Sequence, residues 1–142
     1  MFFDEEMLLD LRLNILNKYV DKFIITESIY THSGRPKKLL FDINKFSKFK
    51  DKIIYKIIDI NPRNIEEINE HDNIEIKNRK LINNSVKREN FQRDFPNKLL
   101  GELNDEDIII INDIDEIPKL DNTDLRNINN QIVIFKQKIF YY

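Results

Sequence analysis

The sequence predicts a layered α/β fold. Three short runs rich in β-branched residues, 20–26, 52–59 and 107–112, are separated by stretches of helical periodicity or polar composition, and such alternation builds a sheet flanked by helices. Each run closes on, or is followed by, a carboxylate: Glu27, Asp59 and Asp113. In a sheet of this class ligands gather beyond the C-terminal ends of the strands, so these three acids are expected along one edge.

Residues 5–18 begin the order. Leu9, Leu13 and Leu16 recur at steps of three and four, with Met7, Leu8, Leu11 and Ile15 flanking them, as an amphipathic helix requires. Residues 20–26 (VDKFIIT) are largely apolar after Lys22, which suits a strand covered on both faces. Residues 30–38 (YTHSGRPKK) hold a glycine, a proline and three basic side chains and form a loop. A short polar helix or turn at 44–50 leads into the second strand, 52–59 (KIIYKIID). Residues 61–84, dominated by Asn, Glu, Lys and Arg, predict loop and weak helix. Residues 85–103 are helical, with Ser85 as N-cap, Phe91 and Phe95 on one face and Pro96 kinking or splitting the run. Residues 107–112 (DIIIIN) contain four consecutive isoleucines and no polar side, the pattern of a strand in mid-sheet. Pro118 blocks continuation, 122–129 form a short helix, and 131–140 (QIVIFKQKIF) form a last strand that is expected to bury Ile132, Ile134 and Phe135.

Composition narrows the classes of function. The 142 residues fit one domain with a packed core, and 41% hydrophobic content with two glycines and four prolines excludes a low-complexity or fibrous chain. Lysine plus arginine number 23 against 25 acids, a net charge of -2 that supplies no field for nucleic acid. The absence of cysteine excludes disulfides, thiolate metal sites and cysteine nucleophiles. Residues 1–10 mix Phe2, Phe3, Leu8 and Leu9 with acids, neither a signal peptide nor a membrane span, so a soluble cytoplasmic protein is expected.

The chemistry concentrates at Asp113-Ile114-Asp115. In an extended segment, residues two apart point the same way about 7 Å from each other, so Asp113 and Asp115 project together from the sheet mouth. Such a pair attracts Mg2+ or Mn2+, whose remaining oxygen ligands come from substrate phosphates and water; the alternative is a solvated acidic turn. Glu27 is placed either to accept hydrogen bonds from a ribose or base, or to cap the loop at 28–33. On the helix before 107–112, Glu89 and Arg93 share a face, whereas Arg88 and Arg93 point roughly 140° apart. Arg93 or Arg88 is placed either to reach a diphosphate or orient Asp113, or to form local ion pairs on a solvated helix face. His32 and His71 show no metal-ligand spacing.

The segments FFDEEMLLDLRLNIL, VDKFIITES with THSGRPKKL, RENFQR and IIINDIDEIP occur in an order that resembles the family 17 glycosyltransferases, the β-1,4-mannosyl-glycoprotein N-acetylglucosaminyltransferase-like proteins, over most of the chain apart from 61–84. The resemblance implies one GT-A-like (Rossmann-like) domain over residues 1–142, a nucleotide-sugar-binding sheet flanked by helices. It implies metal-dependent, inverting transfer of N-acetylglucosamine from UDP-N-acetylglucosamine to a glycan or other hydroxyl acceptor, with Mn2+ or Mg2+ as cofactor. Residue by residue, Asp113 and Asp115 resemble the family's metal and donor-diphosphate pair, with Glu116 and Pro118 completing its turn. Glu27 and Ser28 resemble donor-side residues, Glu89 and Arg93 its helix before that turn, and Glu5 and Arg12 its first helix. Donor binding is thus expected at Glu27, Ser28, Arg93 and Asp113. Relatives usually carry strand residues before the FF motif and a long stretch after the closing tyrosines, so the resemblance implies a partial domain, its donor-binding portion, without the acceptor pocket or general base. The alternative expectation is a non-catalytic nucleotide-sugar- or protein-binding module. An incomplete sheet edge also favours a homo-oligomer.

Overall fold

The computed structural model describes residues 1–127 and 134–136. Helix α1 spans Glu6–Leu16 and buries Leu9, Leu13 and Leu16, the stripe its periodicity predicts. Strand β1, Phe23–Ser28, is buried at every position but Ile24. Strand β2, Ile53–Ile58, pairs with it in parallel, Phe23 opposite Ile53 and Ser28 opposite Ile58. Both strands therefore end at one edge, and Ile29 N–H extends the ladder to the Ile58 carbonyl (3.0 Å).

The connection from β1 to β2 passes through two short 3₁₀ turns over Ile43–Lys52, joined where Phe46 leaves helical geometry (φ −113°, ψ 30°). Asp42 starts them by accepting from Asn44 N–H (2.9 Å), as an N-cap does. They contribute Phe46 and Phe49 to a core that also holds Phe2, Leu9, Leu13, Leu16, Phe23, Ile25 and Leu120. Phe41 stacks on Tyr55 at 4.5 Å and on Phe46 at 5.6 Å, which ties the crossover to the sheet.

Helix α2 spans Ile74–Asp94 and so begins well before Ser85. Its cap is Asn73, whose side chain accepts from Ile76 N–H (2.9 Å); an asparagine cap is inconspicuous in so asparagine-rich a segment. Pro96, which has no N–H to continue the ladder, ends the α-helix, and Phe95–Glu102 continue as 3₁₀ helix. Buried Asn84 holds the preceding loop by exchanging two 2.8 Å hydrogen bonds with the Glu66 backbone.

A larger departure concerns the predicted central strand. Segment 107–112 is no strand, and Ile108 to Ile111 are 38% to 55% exposed. A strand needs a partner edge as well as apolar side chains. The Thr26 carbonyl of β1, on the flank away from β2, is taken by Phe2 N–H (2.9 Å), and the isoleucines find no ladder. Among the described residues the sheet is thus a two-stranded parallel pair, an α/β arrangement. A short 3₁₀ turn, Leu125–Asn127, lies within the predicted helix at 122–129, whose last two residues lie outside the described residues. Of the last predicted strand, 131–140, only 134–136 are described, and they are not in a strand; Ile134 and Phe135 are exposed there. No helix among the described residues is long and apolar enough to cross a membrane.

Candidate functional site

The C-terminal end of β1 opens onto a cavity of about 420 Å³, whose wall includes Phe2, Ser28, Tyr30, Ser33, Lys37 and Gln92. Ser28, the last residue of β1, is buried and accepts from Tyr30 N–H (3.1 Å), which turns the chain into the loop that forms one wall. That loop closes on itself through Thr31 N–H to the Arg35 carbonyl (2.8 Å) and Gly34 N–H to the Thr31 carbonyl (2.9 Å). Gly34 has φ +88°, which favours glycine, and a Cβ there would displace the Arg88 guanidinium, whose carbon would lie 2.6 Å away. Arg88 packs over it and donates to the His32 carbonyl (3.2 Å) and Asn61 Oδ1 (3.0 Å). Arg88 is therefore engaged in holding the loop.

Glu27 lies behind the same wall with no exposure to solvent. Its two oxygens accept from Lys37 Nζ (2.6 Å), Leu40 N–H (2.8 Å), Tyr55 Oη (2.8 Å) and Phe41 N–H (3.1 Å). Burial alone would raise its pKa, but these bonds, led by that of Lys37, hold it below the ordinary value. Burial, together with the hydrogen bond and charge of Glu27, pushes the Tyr55 hydroxyl well above its usual range. The cap expected at 28–33 does not form: Glu27 instead fixes the segment 37–41 and Tyr55, four protein donors fill its oxygens, and Lys37 is held in the cavity wall.

The Asp113-Ile114-Asp115 turn lies at the same end. Gln92 of the cavity wall precedes Arg93 on α2, and Arg93 pairs with Asp113. Arg93 Nη2 lies 3.2 and 3.3 Å from the two Asp113 oxygens and 3.4 Å from Glu89 Oε1. Arg93 thus reaches Asp113 from α2, and Glu89 pairs with Arg93. All three side chains are about half exposed, so the pairs orient more than they stabilise. Glu116 Oε2 accepts from Asp113 N–H (3.1 Å) and Glu116 N–H donates to the Asp113 carbonyl (3.1 Å), closing the turn; Pro118 beyond it is buried. Asp59 is exposed after β2.

Sequence reasoning gave Arg12 no role of its own beyond the family's first helix. Its guanidinium donates to the carbonyls of Asp113 (2.8 Å), Ile114 (3.4 Å) and Glu116 (2.9 Å) and to Asn112 Oδ1. A signal was present: Arg12 stands three residues after Leu9 and four before Leu16, beside the apolar stripe, where a charge calls for a partner.

The family model described as Glycosyltransferase family 17 matches residues 1–136. The chain belongs to glycosyltransferase family 17. No curated protein matches it, and no solved structure does. For a glycosyltransferase, a sugar donor and an acceptor are the partners to accommodate. Among the described residues no three His, Cys, Asp or Glu side chains converge as a metal cluster. Asp113 and Asp115 alone would then offer carboxylate oxygens, a donor set that fits a hard cation completing its shell with diphosphate and water.

Proposed function

We propose that this chain forms the donor site of a metal-dependent, GT-A-like glycosyltransferase, which transfers N-acetylglucosamine from UDP-N-acetylglucosamine to a hydroxyl of a glycan or similar acceptor with inversion. The observation that carries the reading is an acidic turn held by two arginines, Arg12 and Arg93, beside a cavity at the C-terminal end of a parallel strand, where such folds take ligands. Asp113 and Asp115 would hold Mn2+ or Mg2+, and that ion, when bound, neutralises charge on the departing nucleoside diphosphate.

This chain's own groups supply donor-side contacts. Arg93 neutralises part of the Asp113 charge, and its planar fork has donors to spare for a phosphate oxygen. Ser28 lines the cavity, and Glu27 serves the same site from behind by fixing Lys37 and the backbone at Leu40 and Phe41. Calorimetric titration of UDP with and without MnCl2 tests the reading. Manganese is expected to tighten UDP binding to the wild-type chain, and Asp115→Ala to remove that gain. Equal UDP affinity with and without manganese overturns the reading.

A further inference from the structure

The turn bearing Asp113 and Asp115 is held by no sheet, because residues 107–112 leading into it form no ladder among the described residues. Arg12 supplies the hold from α1. It stands on α1 three residues after Leu9 and four before Leu16 of the buried stripe. Its Nη1 gathers three carbonyls, those of Asp113, Ile114 and Glu116, while Nη2 takes Asn112 Oδ1. One rigid guanidinium thereby fixes residues 112–116, and Asn112 Nδ2 closes back on the Glu116 carbonyl. The Asp113 and Asp115 carboxylates remain exposed.

We propose that Arg12 is a positioning residue: by holding the backbone of the turn it sets the Asp113 and Asp115 carboxylates for the cation and diphosphate, while contacting neither ligand. The inference rests on the donor-site reading above. Lysine distinguishes it from a simple charge effect, because an ammonium keeps the charge but is a point donor on a flexible stem, unable to bridge the carbonyls and Asn112 together.

Two readouts on Arg12→Lys test it. Hydrogen exchange is expected to quicken at the amides of 113–117 and to stay unchanged in α1 and β1. The manganese-dependent gain in UDP affinity is expected to fall by about tenfold to 100-fold, the usual cost of losing a group that orients metal ligands, while UDP affinity in EDTA stays the same. Unchanged exchange overturns the proposal, and so does quickened exchange with the manganese gain intact. Should Arg12→Lys not fold, Asn112→Ala, which removes the acceptor of Nη2, is expected to show the same two changes at smaller size, and its failure to do so overturns the proposal equally. A wild-type chain whose UDP affinity ignores MnCl2 overturns the donor-site reading instead, and the exchange measurement still decides whether Arg12 holds the turn.

Discussion

Two apolar stretches of this chain meet opposite fates. Leu9, Leu13 and Leu16 of α1 are at most 4% exposed, packed on Phe23 and Ile25 of β1 and on Phe46 and Phe49 of the crossover. Ile108 to Ile111 are as apolar, yet every one of them is at least 38% exposed. The difference lies in partners. The helix needs only one face covered, and its own backbone bonds are internal; a strand must also find a neighbour for its N–H and C=O groups. The first half of the molecule thus supplies most of the core, while the segment carrying the acidic pair is fastened by Arg12 and by the packing of Ile114 and Ile117 on that core.

Substitutions sharpen or break that comparison. The largest effect is expected at Glu27. Glu27→Gln leaves the nearly buried Lys37 ammonium without its carboxylate, at a cost of about 3 to 5 kcal/mol in chemical denaturation. The sign with pH follows from the depressed pKa: the contribution is present above the ordinary value of 4.5 and is lost as pH falls through the lower folded value. Wild-type stability should therefore decline below pH 4.5 more steeply than that of Glu27→Gln, and parallel profiles would count against the buried pair. Next is Leu13→Ala at the fully buried centre of α1, expected to cost about 2 to 5 kcal/mol. A loss under 1 kcal/mol, on the order of an ordinary surface change, would mean that α1 is not the core element described.

How far the sequence reveals all this depends on whether the information is local. The stripe of α1 is a periodicity of one segment, and β2 lies one residue inside each end of the expected 52–59. The pairing of Arg93 with Asp113 was legible as one of two arginines near one acidic turn. The start of α2 was not, since Asn73 is one asparagine among many in 61–84. Strand pairing at 107–112 was misread because a β-branched run records a preference for extended backbone, while its partner lies elsewhere in the chain. Arg12 went unread for the same reason: its acceptors lie about a hundred residues away.

Two smaller effects complete the comparison. Gly34→Ala places a Cβ against Arg88 at a positive φ, and should cost about 1 to 3 kcal/mol and loosen the loop at 30–36 in hydrogen exchange; an unchanged melting curve would show that Arg88 and the loop give way freely. Ile109→Ser, in the exposed row, should change stability by no more than about 0.5 kcal/mol. A cost near that of Leu13→Ala would mean that the isoleucine row is covered after all.

The central claim is that the acidic turn and the cavity beside Ser28 form one cation and nucleotide-sugar site, and paramagnetic broadening tests it most directly. With UDP present, substoichiometric MnCl2 should selectively broaden the backbone amide resonances of residues 113–116 and 28–33, and Asp115→Ala should abolish that selectivity. Broadening centred on other acidic stretches, such as 66–72 or 105–107, with the 113–116 signals untouched, would contradict the account.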